Sequence, residues 1–281
     1  HVRSGDGVLY GAGAQAGWPF YVGGAKALQH GIGWDGPYRR SHRLWHTRCN
    51  VDFLGAMRSV LCVDTNYINW ARGRGARGLE YAEKCVYVPN YADLDALGAV
   101  AADRDPGSPL RLMYARRFDP KRGPIQFMDA LALLHQRGFD FSASMFSVGG
   151  DAEITDGLKK RGISDRVRLR NADMDEILAH YHDHDVAVVP TIWSEGTSLA
   201  AVEAICAGMP VVATPVGGLG NLIIPGFNGE LVAPTAQGLA RGISRYGDTA
   251  TWRAQRANCL SLRESLSFER WQQRLLDWVQ S

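Results

Sequence analysis

Between residues 109 and 233, short and nearly uninterrupted apolar runs alternate with stretches of helical spacing, and this alternation restricts the fold more than any other feature. PLRLMYARR, FSASMFSVGG, RVRLRN, DVAVVPT, PVVATPVGG and NGELVAP read as strands. GPIQFMDALALLHQRG, DAEITDGLKKRG (ending at Gly162), DMDEILAHYH and SLAAVEAICAGM read as helices between them. Strands that are apolar on both faces and separated by helices belong to a parallel sheet covered on each side, which is a doubly wound α/β unit.

The first hundred residues are less regular. FLGAMRSVLCVDTNYINWARG reads as a helix, the strand SVLCVD and a second helix, and EKCVYVPNYADL as a strand running into a loop. Three or so β-α units make an incomplete α/β domain. The loop-rich stretch after them carries Pro106, Gly107 and Pro109 and reads as a linker. The expected division is a partial N-terminal domain over 1–92, a linker over 93–109, a complete Rossmann-like domain over 110–247, and helices over 248–281. In the last of these, Trp271, Leu275 and Trp278 share one face, which is expected to pack back on the protein.

Composition removes several classes. Thirty-one Lys and Arg against 29 Asp and Glu leave a charge of +2, too balanced for a general nucleic-acid or membrane-surface binder. No window reaches the roughly 18 apolar residues of a spanning helix. The 5 cysteines are odd in number, widely spaced and free of a C-x-x-C pair, which argues against a zinc ribbon or a full disulfide framework and for a reducing, cytoplasmic setting. The chain opens at His1 with no charged and apolar leader, and reads as starting inside a larger protein.

Two segments carry chemistry. In SEGTSLAAVEAICAGMPVVAT a turn, a helix start and a buried strand follow one another, with Glu195 and Glu203 separated by seven residues. Ser198 stands at the N-cap position, so the amides of Gly196, Thr197, Ser198 and Leu199 have no partner within the helix and form an anion site. Glu203, one turn in, can offer a carboxylate to vicinal hydroxyls, as acidic residues do for ribose. In YARRFDPKRG, Arg116 and Arg117 follow a strand while Lys121 and Arg122 precede Gly123 at a helix start. Guanidinium groups there can hold a diphosphate in bidentate fashion. By spacing alone, the first segment also fits a solvated helix with two scattered acids, and the second a basic, solvent-facing loop.

Taken together, RRFDPKRG and EGTSLAAVEAICAGMPVVATPVGG resemble the carboxy-terminal domain of GT-B glycosyltransferases, in particular the retaining family 4 group, and the resemblance extends over residues 85 to 233. It implies an α/β, GT-B-like fold and transfer of a sugar from a nucleotide-diphosphate-sugar donor to an acceptor, with retention, by front-face attack and with no cofactor or obligatory metal. Arg117 corresponds to the family's phosphate-binding Arg, and Arg122 falls where that family has Lys, with Lys121 beside it. Glu195 matches the acid that contacts the donor sugar and Glu203 the acid that holds the ribose. Gly196 through Leu199 match the backbone over the diphosphate. Val148 to Gly150, with Gly149 among them, and Asn171 to Asp173 close the second and third strands near the place of the base. GAKALQHGIGWD resembles the amino-domain strand ending in His-Gly, so that His30 corresponds to a histidine facing the donor sugar.

Departures accompany the resemblance. Tyr91 stands where the interdomain segment usually has Gly, Asn221 where an acid usually follows the fifth strand, and no opening strand with a Gly-rich acceptor loop is read at the front, so the acceptor half reads as incomplete. His180, His182 and His184 with Asp183 and Asp185 have metal-like spacing but lie where the family has no ligand, and VGGLGN lacks the spacing and the distal acid of a dinucleotide fingerprint. A glycan, a lipid-linked group and a small molecule stay open as acceptors, and membrane association is not indicated. Two other readings stay open: a non-catalytic or truncated nucleotide-sugar-binding module, and a GT-B sugar-nucleotide epimerase, whose pocket would need further acids that this chain does not show.

Overall fold

The structure, a computed structural model, describes residues 2–4, 7–10, 23–29, 40–101, 104–146, 149–170, 174–193 and 195–281. Within them the chain builds two sheets. The first joins β1 (Val2–Ser4), β2 (Gly7–Tyr10), β3 (Lys26–Gln29), β4 (Ser59–Cys62) and β5 (Cys85–Tyr87) in that spatial order. β1 pairs antiparallel to β2 and every other pairing is parallel. The first ten residues, read from the sequence as holding no strand, thus supply an antiparallel pair at one edge. Helices α1 (Arg40–Ala56), α2 (Thr65–Arg72), α3 (Gly78–Glu83) and the single turn α4 (Leu94–Leu97) belong to this part of the chain. Phe53, Leu54, Tyr67, Ile68 and Tyr81 from α1 to α3 cover Ala27, Val60 and Cys62 of the strands.

The second sheet is the doubly wound one expected from the alternation. It comprises β6 (Leu110–Ala115), β7 (Phe141–Phe146), β8 (Val167–Arg170), β9 (Val186–Val189), β10 (Val211–Ala213) and β11 (Gly229–Leu231), with helices α5 (Pro124–Gln136), α6 (Asp151–Lys160), α7 (Met174–His180), α8 (Leu199–Cys206), α9 (Leu219–Leu222) and α10 (Ala236–Ser244) between and after them. The order is β11-β10-β9-β6-β7-β8, parallel throughout. Strand alternation sorts its residues between two cores. Leu110, Leu112, Tyr114, Val186, Val188 and Val212 meet α5, α6 and α10 on one face. Met113, Ala187, Val189, Val211 and Ala213 meet α8 and α9 on the other. The order reverses between β6 and β9, and in such sheets the crevice beyond the carboxyl ends at the reversal is where ligands bind.

The helices α11 (Thr249–Leu262) and α12 (Phe268–Gln280) divide their contacts. α11 stays on the second sheet through Trp252 and Cys259. α12 crosses to the first, where Trp278, with Trp271 and Leu275 beside it, packs on Leu61 and Val88. Trp278 Nε1 donates to Ser59 Oγ (2.7 Å), and Lys26 Nζ donates to the carbonyls of Trp278 and Val279. Tyr91, the residue that stands in place of the family glycine, has its ring 4.9 Å from that of Phe268 and 4.8 Å from that of Trp271, so its aromatic bulk fastens the crossing helix. Among the described residues no helix is long and apolar enough to cross a membrane.

Because Trp278 is 4% exposed and buries its ring between the sheet and its own helix, Trp278→Ala is expected to cost about 3 kcal/mol, read as a lower urea midpoint. Amides of α12 should lose hydrogen-exchange protection before those of β6 and β9, since the variant loosens only the crossing contact.

Candidate functional site

At the carboxyl edge of the second sheet, two loops from either side of the reversal are drawn onto one carboxylate. Arg116 continues the β6 ladder for one residue, its amide donating to Phe146 O (3.1 Å), and its side chain turns inward. After the tight turn Pro120–Arg122, Gly123 opens α5 with φ +72, and a Cβ there would stand 2.1 Å from Pro190 O. Only glycine permits both the left-handed conformation and this approach to the end of β9. Arg122 is thereby carried over the β9–α8 loop, where Glu195 lies.

Glu195 Oε2 accepts from Arg116 Nη2, from Arg122 Nη1 (2.7 Å) and from Thr191 Oγ1 (2.8 Å). The Glu195 and Arg116 side chains are each 8% exposed, against 33% for Arg122. Arg116 Nη1 also donates to Ser198 Oγ (2.6 Å). Ser198 occupies the N-cap position of α8, as read from the sequence, yet its hydroxyl makes no bond to the helix amides, because it is taken by Arg116. Among the described residues the amides of Gly196, Thr197, Ser198 and Leu199 meet no acceptor. Gly217, at φ +58, lets the turn after β10 close on this loop, since a Cβ there would overlap Glu195 O, and the Gly218 amide donates to that oxygen (3.2 Å).

Glu203 lies one turn into α8, its carboxylate accepting from Tyr181 Oη (2.7 Å). Burial raises its pKa above the ordinary carboxyl value, while the Tyr181 hydrogen bond and the charge of Arg116 pull it partly back. Arg116 therefore acts on both acids of the motif. Tyr181 itself is fully buried and its phenol is pushed well up by burial, with the Glu203 charge adding to the effect.

The structure separates the remaining sequence-derived residues. Arg117, rather than Arg116, was matched to the phosphate-binding position; its side chain is exposed and makes no ion pair among the described residues. The physical reason is the extra ladder bond at Arg116, which turns consecutive side chains in opposite directions and sends Arg117 to solvent. Lys121 is exposed at the rim, its Nζ 5.8 Å from the Trp193 ring, while its carbonyl accepts from the Ile192 amide (2.8 Å). Gly149 and Gly150 lead into α6, with Gly150 against the Phe118 ring of the arginine loop. His30, Val148 and Asn171 to Asp173 lie outside the described residues. The histidines with metal-like spacing are engaged singly: His180 Nδ1 with Asp183, His182 Nε2 with Leu97 O, and His184 Nδ1 with His180 O. Asp185 is fully buried between Arg104 and Arg111.

Sequence reasoning named Arg116 among the loop's guanidiniums but gave the matched position to Arg117, and it missed Thr191 as the third donor to Glu195 and Tyr181 as the partner of Glu203. Strand parity carried one residue past β6 would have selected Arg116; the tyrosine lies 22 residues from its partner in a segment with no motif of its own.

The first sheet faces the same crevice. Thr197 Oγ1 donates to Val63 O, Asn90 Nδ2 donates to Thr197 O (3.0 Å), and a Cβ on Gly196 would lie 3.2 Å from Val63 Cγ2. Asn221 accepts from the Thr65 amide (3.0 Å) and donates to Thr65 Oγ1 (2.7 Å), bridging to the start of α2. The Asn221 amide accepts one of these bonds and donates the other, whereas a carboxylate would have to accept both, with the Thr65 hydroxyl turned to donate.

Residues 109–248 match the family described as glycosyl transferases group 1. The chain is 30% identical over 178 residues to glycogen synthase of Mycobacterium tuberculosis, a stretch covering 61% of this chain and 42% of that protein. It is 35% identical over 148 residues to D-inositol 3-phosphate glycosyltransferase of Frankia alni, covering 49% and 35% respectively. The chain thus spans less than half the length of these curated relatives. In structure it is similar to sucrose-phosphate synthase from Thermosynechococcus elongatus, with TM-score 0.77 and 22% identity over 97% of this chain and 72% of that one. It is also similar to Anabaena HepE solved in complex with UDP, with TM-score 0.74 and 18% identity over 92% and 72%. These likenesses fix the fold as GT-B-like.

The raised carboxyl of Glu203 has a consequence for stability. A folded-state acid with a raised pKa holds its proton more tightly than the unfolded chain does. Its contribution is therefore full below the ordinary value of 4.5 and is lost as pH rises through the folded value. Glu203→Gln, which keeps an acceptor for Tyr181, should remove this loss: its stability relative to the parent chain should rise with pH across that window in urea titrations, and a pH-independent difference would contradict the assignment.

Proposed function

The chain belongs to the glycosyl transferases group 1 family through its residues 109–248, and from that premise we propose that it transfers a sugar from a nucleoside-diphosphate-sugar donor to an acceptor, with retention at the anomeric carbon. The observation that carries this reading is the meeting, in one crevice at the strand-order reversal, of Arg116, Arg122, the unpaired amides of 196–199 and the two acids Glu195 and Glu203. A solved complex of HepE holds UDP and another holds UDP-glucose, which makes a uridine nucleotide the first donor to try.

Each residue answers a distinct chemical need. The diphosphate lies over the amides of 196–199 at the start of α8, where aligned N–H groups favour an anion. Arg116 and Arg122 turn from Glu195 onto its oxygens, and the freed Glu195 carboxylate takes hydroxyls of the donor sugar. Glu203, held by Tyr181, accepts from the ribose hydroxyls. In the reaction the bond between the anomeric carbon and the diphosphate oxygen breaks while the acceptor oxygen bonds to that carbon from the same face. The acceptor's proton passes to the departing phosphate oxygen. The main electrostatic demand is the charge that grows on this leaving oxygen, and preorganised guanidinium and amide donors meet it without a resident metal. Arg117 and Lys121 at the rim add cationic charge to the approach. His30, the residue after β3 in sequence, is assigned by resemblance to the sugar.

Calorimetric titration of this chain with UDP tests the donor half. Loss of one charge-assisted hydrogen bond costs about 1.5–3 kcal/mol, so Arg116→Ala and Arg122→Ala should each weaken UDP binding about 10- to 100-fold. Glu203→Ala should weaken UDP but leave inorganic pyrophosphate unaffected, because only the nucleotide has a ribose. Arg117→Ala should lower turnover in a transfer assay more than it weakens binding. Parent-like UDP affinity in Arg116→Ala, Arg122→Ala and Glu203→Ala together would refute the site, and binding without transfer in a chain extended to the relatives' full length would favour a non-catalytic nucleotide-sugar module.

A further inference from the structure

A second concave site lies behind α7 and α8, away from the Glu195 crevice. It is a cavity of about 230 Å³ lined by Ala99, Ala101, Arg104, Tyr181, His182, His184, Ala207 and Arg256. Arg256 projects from α11 and is 4% exposed. Its Nη1 donates to Gly208 O (3.1 Å) and its Nη2 to Ala101 O, while its Nε is buried with no hydrogen-bond partner. No carboxylate among the described residues comes within ion-pair distance of it.

Its cationic neighbour does not relieve this. Arg104 and Arg256 each place a guanidinium carbon 5.3 Å from the Trp252 ring centroid. Arg104 pairs with Asp185, but that single carboxylate also serves Arg111, so two guanidiniums already share the one buried acid and none of its charge is left for Arg256. Asp183, the other acid near Arg104, is 69% exposed and turned to His180. The two cavity arginines repel one another, and burial further disfavours their charged forms. Carbonyl dipoles solvate a buried guanidinium but do not neutralise it, and uncompensated buried charge is costly. The histidines set what else the cavity offers. His182 Nε2 and His184 Nδ1 are committed to main-chain carbonyls, so each ring presents its other nitrogen, an acceptor when neutral and a donor when protonated.

We propose that this cavity binds a small oxyanion that also carries a hydroxyl, of the phosphate type, held by Arg104 and Arg256 with the two imidazoles as hydrogen-bond partners. The volume falls below the roughly 300–1,000 Å³ of sites for drug-sized ligands, which excludes a nucleotide and suits a phosphate-sized group. Tyr181 lines the cavity and its phenol donates to Glu203, so an occupant would rest against the residue that holds that carboxylate. The binding claim stands independently of the donor-site reading.

Thermal unfolding of this chain in inorganic phosphate, against chloride at equal ionic strength, tests it. At ten times its dissociation constant phosphate should raise Tm by about 2–3 °C. Ala99→Glu places a carboxylate at the exposed rim and should abolish the shift, as should Arg256→Gln; the rim variant leaves every buried hydrogen bond in place and so reads binding even where Arg256→Gln fails to fold. Arg122→Ala should keep the shift, which separates this cavity from the Glu195 crevice. The proposal is overturned by no shift in the parent chain, or by a shift lost in Arg122→Ala and kept in Ala99→Glu.

Discussion

One carboxylate oxygen organises the crevice. Glu195 Oε2 receives donors from the end of β6, the start of α5 and the end of β9, so three backbone segments that approach from both sides of the strand-order reversal converge on an atom-sized target. Taking a carboxylate and a guanidinium out of water costs several kcal/mol for each ion, and two arginines with a threonine are needed to offset it. The glycines follow from the same requirement. Gly123 must let the arginine turn come down on Pro190, and Gly217 must let the turn after β10 lie against the Glu195 backbone. Removing either approach would leave a buried charge without its partners.

The second constraint is that both sheets point their carboxyl ends at this place. Parallel strands deliver loops and helix starts on one edge, and here the starts of α2 and α8 confront one another. Their contacts are short polar side chains on main chain: Thr197 to Val63, Asn90 to Thr197 and Asn221 to Thr65. Such bonds carry little net energy each, about 1 kcal/mol, so they set the facing geometry more than its strength. The apolar link runs elsewhere, through α12, with Tyr91, Phe268 and Trp271 clustered at the crossing. The two halves are thus tied firmly at the back and lightly at the front.

The doubly wound half was legible because its central strands are buried on both faces and its helices carry starts and stops, down to Gly162 after α6. The first ten residues were not, since seven strand residues with glycine and charge among them carry no burial signal of their own. The placement of Glu195 and Glu203 was legible from spacing, because one turn of helix fixes where Glu203 stands relative to the start of α8. Which of Arg116 and Arg117 faces inward was not, because a motif counts positions whereas the ladder bond to Phe146 decides between adjacent side chains. Tyr181 shows a different limit. A partner held by tertiary packing, 22 residues before the acid it serves, leaves no local pattern. Asn221 and Tyr91 look like losses when set against a family pattern, and each acquires a reason only when its contact is known.

The inward and outward arginines also divide the electrostatic work of the proposed reaction. Arg116 and Arg122 carry two positive charges against the one negative charge of Glu195, and burial favours the neutral form of Glu203, so the interior leans positive. An incoming diphosphate would therefore exchange one anionic partner for another at the buried guanidiniums. That exchange requires the two guanidiniums to turn from Glu195, but Arg116, already buried, has little hydration left to lose. The exposed Arg117 and Lys121 would add their charge to the attraction that an incoming anion feels from this interior. Exposed charges are screened over about 8 Å at physiological salt, whereas buried pairs are not. Capture of the donor should thus depend on ionic strength and its grip should not.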